Sequence, residues 1–144
     1  LDFYQIDVMG MDVLIINRSS LVGKPLSCLL VGRGASVTIC HSKSKKIEEK
    51  IYSSEMIVSA VGNRERFTIS GNMVKAGVVI IDVGISRCSG KICGDVDFDS
   101  VKNKASWITP VPGGVGPMTV AMLLRNTVAA TVLSGRDRNN RLDE

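Results

Sequence analysis

The chain has 144 residues, 44% apolar and 22% charged, which is enough for one substantial core and too short for two ordinary domains. Its net charge of +4 comes from basic residues scattered along the chain, and only 4% of residues are aromatic, a poor platform for nucleic acid and a better match to a small anionic ligand. No apolar run approaches the roughly 18 residues of a membrane span, and the first residues carry no signal-peptide pattern, so neither a membrane nor a nucleic-acid partner is expected.

In chain order, Val13-Leu14-Ile15-Ile16 is a continuous, β-branched apolar run of the kind buried on both faces of a parallel sheet. The polar turn Asn17-Arg18-Ser19-Ser20 follows, then a helix from Leu21 with Leu26, Leu29 and Leu30 on one face, ended by Gly32 and Gly34. A second strand is expected over 36–40, a charged helix over 47–53, a third strand over 56–60 closed by Val61 and Gly62, and a helical turn over 70–75. Val78-Val79-Ile80-Ile81-Asp82 is the strongest strand pattern. Beyond it, Ser89-Gly90 suggests a hairpin, 97–104 a helix and 107–109 a last strand. A long helix over 118–133 carries Val120, Leu123, Leu124, Val128 and Val132 on one face, and the polar run 134–144 is expected to be a disordered tail. Strands alternating with helices predict an α/β Rossmann-type fold, doubly wound, with a mostly parallel sheet and helices on both faces.

The four cysteines form no CxxC pair and there is one histidine, so no metal site is expected. Reduced thiols are the simplest account, with Cys28 and Cys40 as small core residues, although Cys88 and Cys93 flank Gly90 and can pair across the hairpin.

Ligands of doubly wound sheets sit outside the carboxyl ends of the strands, so the residues after each strand carry the chemistry. After the first strand, Asn17, Arg18 and Ser19 stand at a helix N-terminus, where N–H groups and the dipole favour phosphate, though no G-x-G-x-x-G is present and Ser19 or Ser20 equally suits an N-cap. After the second, His41-Ser42-Lys43-Ser44-Lys45-Lys46 puts two hydroxyls and three lysines where NAD-binding domains place a carboxylate, which favours NADP; a solvated basic loop is the bland alternative. Asp82 after the fourth strand reads as a residue that caps or turns the chain. The loop from Pro110 to Pro117 has more glycine and proline than a connector requires, and Thr119 stands where it can cap or donate.

These segments, Asn17-Arg18-Ser19, Leu21-Val22-Gly23-Lys24-Pro25, His41-Ser42-Lys43, Ile81-Asp82-Val83-Gly84-Ile85, Gly94-Asp95-Val96 and above all Thr109-Pro110-Val111-Pro112-Gly113-Gly114-Val115-Gly116-Pro117-Met118-Thr119-Val120-Ala121, occur in this order in bifunctional methylenetetrahydrofolate dehydrogenase/methenyltetrahydrofolate cyclohydrolases. Over residues 1–132 the chain resembles the NAD(P)-binding domain of that family. The resemblance implies an enzyme that oxidises 5,10-methylenetetrahydrofolate with NADP and hydrolyses the product to 10-formyltetrahydrofolate. It further implies that the catalytic lysine lies in a separate N-terminal domain, so no catalytic residue is expected here and the chain alone should be inactive. On this view residues 1–133 are the cofactor domain of a larger enzyme, and the 118–133 helix packs toward the other domain.

Matched position by position, Arg18 and Ser19 contact the cofactor phosphates, Ser42 the 2′-phosphate and Ile85 the nicotinamide end; Asn17, Lys43, Val61 and Gly62 complete the expected cofactor set. Pro112, Gly113, Gly114, Val115, Gly116, Pro117, Met118, Thr119 and Val120 are expected to line the folate site. The chain departs from the family's usual glycine at Asn17 and asparagine at Ser86. Some NAD-using members share the Asn-Arg-Ser turn, so an NAD-dependent monofunctional dehydrogenase is the alternative, and a non-catalytic nucleotide-binding module a further one. A short-chain dehydrogenase is excluded, since no Y-x-x-x-K occurs. A homodimer and a cytoplasmic setting complete the expectations.

Overall fold

The computed structural model describes residues 1–140. Its elements are a short 3₁₀ turn at Asp2–Tyr4, β1 (Asp12–Ile16), α1 (Gly23–Val31), β2 (Ser36–Cys40), α2 (Ile47–Ser53), β3 (Met56–Ser59), β4 (Val79–Asp82), β5 (Ser86–Cys88), β6 (Lys91–Cys93), α3 (Phe98–Val101), β7 (Trp107–Ile108) and α4 (Val115–Asn140). Five strands form a parallel sheet in the order β2-β1-β3-β4-β7, and β5 and β6 make a separate antiparallel hairpin. This is the expected doubly wound α/β architecture.

The period of two along β1 divides the core. Leu14 and Ile16 join Cys40, Ile51, Ile57, Ile80 and Val101 on the side of α2 and α3. Val13 and Ile15 join Leu30, Ala35, Met56 and Val58 on the side of α1. A strand covered on both faces must be apolar at every position, which is why β1 and β3 read as unbroken runs.

Several elements differ from expectation. The first helix begins at Gly23 rather than Leu21, because Ser19 and the residues after it fold into a preceding turn; within it Leu29 is exposed while Leu30 is buried. Cys28 is also exposed, since it lies two residues from both Leu26 and Leu30 and so on the opposite side of the helix. Cys88 and Cys93 are joined in a disulfide across the β5–β6 hairpin, so the expectation of reduced thiols fails for this pair. Residues 70–75 form the expected turn, with the Met73 N–H on the Ser70 carbonyl, but α3 spans only Phe98–Val101 of the expected 97–104.

The last helix begins three residues early, at Val115, because Pro117 falls in its first turn, where a missing N–H costs nothing. It then runs through Asn140, so most of the expected tail is helical: no proline interrupts 134–140, and a single glycine weakens a helix without ending it. Residues 141–144 lie outside those described. The face bearing Val120, Leu123, Leu124, Val128 and Val132 is bare in this chain. Among the described residues no helix is long and apolar enough to cross a membrane.

Candidate functional site

All five strands of the main sheet point the same way, so their carboxyl ends share one edge. The chain leaves β1 for β2 on one side and later returns to β3 on the other, which opens a crevice beside β1. The segments after β1, β2, β3, β4 and β7 surround it and contain every expected site residue.

At the β1 end the Asn17 side chain is bonded at both of its ends. Its Oδ1 accepts from the Ser19 N–H at 2.5 Å, and its Nδ2 donates to the Ala60 carbonyl at the end of β3. Ser19 Oγ accepts from the Val22 N–H at 3.1 Å, which starts α1. Asn17 thus ties two crevice loops together and fixes the turn over which the α1 N-terminus is aimed. Gly23 begins that helix because a Cβ there would fall on the Asn17 carbonyl. Arg18 is exposed at the rim.

At the β2 end a tight turn closes on His41. Its N–H donates to Ser44 Oγ at 3.0 Å, its carbonyl accepts from the Ser44 N–H at 2.8 Å, and its Nδ1 accepts from the Lys43 N–H at 3.2 Å. These bonds leave Ser42 and Lys43 exposed at the tip, and His41 is occupied in holding the turn.

At the β3 and β4 ends the geometry depends on two buried carboxylates. Asp95, which is fully buried, accepts from Ser59 Oγ at 2.8 Å, the Val61 N–H at 2.7 Å and the Gly62 N–H at 2.9 Å. Asp82 accepts from the N–H groups of Gly84 at 2.9 Å, Asp95 at 3.1 Å and Val96 at 2.9 Å. Burial pushes the Asp82 carboxyl above its ordinary value, the three backbone donors pull it down, and the neighbouring Asp95 charge adds to the rise. Ile85, exposed, follows Gly84. Asp82 therefore turns the chain, as its position in the sequence suggested. The N–H groups of Val61 and Gly62 face Asp95 and are taken up by its carboxylate.

At the β7 end Thr109 Oγ1 accepts from the Asp82 N–H at 2.8 Å. The expected folate loop is divided: Pro112, Gly113 and Gly114 lie in the connection, after a cis Val111–Pro112 bond, and Val115 to Val120 form the start of α4. Thr119 does not cap the helix; its Oγ1 donates to the Val115 carbonyl at 3.2 Å. Reading the sequence missed Ser59, Asp95 and Arg64. Arg64 donates to the carbonyls of Gly94 and Val96 and so fixes the segment that carries Asp95. The motif Gly94-Asp95-Val96 was the one available signal.

Among the described residues no cluster of three or more histidine, cysteine or acidic side chains suits a metal, and a parallel sheet with a helix N-terminus, basic tip and glycine turn along one edge defines a dinucleotide-binding domain. Residues 1–134 match the family described as tetrahydrofolate dehydrogenase/cyclohydrolase, NAD(P)-binding domain. The chain belongs to that family.

It is 50% identical over 135 residues to the bifunctional protein FolD of Nitrosopumilus maritimus, covering 94% of this chain and 47% of that protein. With the FolD of Cenarchaeum symbiosum the identity is 55% over 133 residues, covering 92% and 47%. Among solved structures it resembles the bifunctional FolD methylenetetrahydrofolate dehydrogenase/cyclohydrolase of Campylobacter jejuni, with a TM-score of 0.84, 47% identity and coverage of 89% and 45%. It also resembles the Trypanosoma brucei N5,N10-methylenetetrahydrofolate dehydrogenase-cyclohydrolase, complexed with NADP and an inhibitor, with a TM-score of 0.84, 35% identity and coverage of 94% and 48%. The chain spans about half the length of the curated relatives it matches, 47% of each of the two named.

Proposed function

We propose that this domain holds NADP in the crevice beside β1 and presents its nicotinamide to 5,10-methylenetetrahydrofolate, as the cofactor half of a dehydrogenase/cyclohydrolase. The observation that carries the choice of NADP is the β2 end: Ser42 and Lys43 are exposed at the tip of a turn fixed by His41, and no carboxylate stands between Cys40 and Glu48. A 2′-phosphate there meets a hydroxyl and a cation, whereas NAD finds no carboxylate to accept from its ribose hydroxyls. The NADP bound by the Trypanosoma brucei relative supports the same reading.

In this reading the α1 N-terminus, Arg18 and Ser19 take the pyrophosphate, with Asn17 holding the turn. Val61, Gly62 and Ile85 border the nicotinamide half. Pro112, Gly113 and Gly114 with the first turns of α4 form the wall toward the folate. When bound, the cofactor supplies a hydride acceptor for the methylene bridge, and water then opens the resulting methenyl group to 10-formyltetrahydrofolate. The domain's part is orientation of the nicotinamide against the folate and the electrostatics around it. None of its residues is assigned the proton-transfer role, which the family resemblance gives to a lysine of a separate domain. The reading includes a homodimer and a cytoplasmic setting.

Calorimetric titration with NADP and NAD tests it. NADP is expected to bind at least about tenfold more tightly, a difference of ~1.4 kcal/mol. Equal affinities favour the NAD-dependent alternative, and binding of neither removes the cofactor assignment.

A further inference from the structure

Asp95 is a fully buried carboxylate outside the crevice, and among the described residues it makes no ion pair. Such a group is costly unless hydrogen bonds replace its hydration, and here three donors do so: Ser59 Oγ at the end of β3 and the successive N–H groups of Val61 and Gly62. Two successive N–H groups converging on one anion form a nest, a motif that can also cradle a phosphate. In this protein the nest is filled from within.

The carboxylate is itself held on several sides. Its backbone N–H donates to Asp82, and the carbonyls on either side of it, those of Gly94 and Val96, accept from Arg64. Glycine is required at two facing points: a Cβ on Gly84 would fall on the Asp95 carboxylate, and one on Gly94 would fall on that of Asp82. The ends of β3 and β4 are thereby interlocked through two carboxylates. The turn at Val61 and Gly62 also lies against the backbone of Ile85, whose carbonyl oxygen stands 3.5 Å from where a Gly62 Cβ would be.

We infer that Asp95 is a positioning residue for the cofactor: it fixes the Val61–Gly62 turn, and through it Ile85, as the surface on which the nicotinamide half of the dinucleotide rests. This rests on the cofactor reading above. The location supports the nicotinamide half in particular, because β3 and β4 lie on the opposite side of β1 from β2, whose end receives the 2′-phosphate. An apolar side chain could fill the space Asp95 occupies, but it would leave both N–H groups of the turn without an acceptor and free to rotate.

The test compares two probes on the whole chain, NADP and adenosine 2′,5′-bisphosphate, which lacks the nicotinamide half. Asp95→Asn keeps the size of the side chain but turns an N–H₂ group toward one of its donors. It is expected to weaken NADP about tenfold while changing adenosine 2′,5′-bisphosphate by less than about twofold. An equal loss for both probes would show that Asp95 serves the fold as a whole, and no loss for either that the turn is held without it; each overturns the inference. If the parent chain binds neither probe, the cofactor reading fails and this inference with it. Should Asp95→Asn not fold, Ser59→Ala removes one donor alone and is expected to weaken NADP about threefold with the nucleotide fragment unaffected. Equal effects on the two probes, or none, then overturn it.

Discussion

On the proposed reading, Ser42 stands where a single charge decides which dinucleotide is favoured. Its side chain is exposed beside Lys43, and the turn beneath it is held by His41 and Ser44, so a substitution at the tip leaves the scaffold intact. Ser42→Asp places a carboxylate against the 2′-phosphate and offers the ribose of NAD an acceptor. Loss of one charge-assisted hydrogen bond costs roughly 1.5–3 kcal/mol, so NADP is expected to weaken by about ten- to a hundredfold while NAD tightens. Parallel titrations decide it, and an unchanged NADP affinity would make the tip a solvated loop.

Asp82 gives a second prediction at this scale. Its folded pKa is raised from 3.8, chiefly by burial, so the folded state binds the proton more readily than the unfolded chain does. The resulting stabilisation is fully present below the unfolded value and is lost as pH rises through the folded one. Asp82→Asn does not titrate and deprives one of three backbone donors of its acceptor, at a cost of roughly 1–3 kcal/mol. Urea unfolding across acidic to neutral pH is expected to show the gap between parent and variant narrowing as pH rises. A widening gap would mean that the backbone donors outweigh burial and favour the charged carboxylate.

The connection from β7 to α4 separates two roles of glycine at the scale of an element. A Cβ on Gly114 would stand 2.5 Å from the Pro110 carbonyl oxygen and 2.9 Å from Thr109 Cβ, whereas one on Gly116, in the first turn of α4, meets nothing within 4 Å. Gly114→Ala is therefore expected to destabilise the domain by about 1–3 kcal/mol through overpacking. Gly116→Ala, where the helical backbone favours alanine, is expected to leave thermal stability unchanged or slightly raised. If both variants unfold alike, the loop is held less tightly than its contacts indicate.

The same connection shows what could be read in advance. β1 and β3 were legible because burial on both faces leaves a continuous apolar run, and the Ser89-Gly90 turn because a hairpin requires those residue types. In the sequence Pro117 reads as a boundary before the last helix, whereas it sits in that helix's first turn, where proline is tolerated. The bonds from Asp95 to Val61 and Gly62 span 34 and 33 residues and end on backbone atoms, so they leave no periodicity to find. Arg18, Ser42 and Ile85 were placed in the expected cofactor set by the resemblance and by standing two or three residues after a strand; the bonds that hold those loops in place left no such mark.

At the scale of the whole molecule, α4 is the element whose packing this chain leaves open. Val120, Leu124, Val128 and Val132 repeat at four-residue intervals and are each more than half exposed, while α1, α2 and α3 bury Leu30, Ile51 and Val101 against the sheet. Fully burying such side chains stabilises by roughly 1.5–3 kcal/mol each, a driving force for covering this face that the sheet does not use. The first turns of the same helix, from Val115 to Val120, are the proposed wall toward the folate, so on that reading whatever covers α4 also completes the substrate side of the crevice. The proposed cofactor contacts have no such requirement, because Arg18, Ser42, Val61, Gly62 and Ile85 all lie in segments that follow strands of the main sheet. The purified chain is therefore expected to bind NADP while forming no NADPH from 5,10-methylenetetrahydrofolate. Co-expression with the complementary half of a FolD relative is expected to bury α4, protect its amides from hydrogen exchange and restore turnover. NADPH formation by the chain alone, from a preparation free of contaminating dehydrogenase, would place catalytic groups within these residues and overturn the division of labour proposed for the two halves.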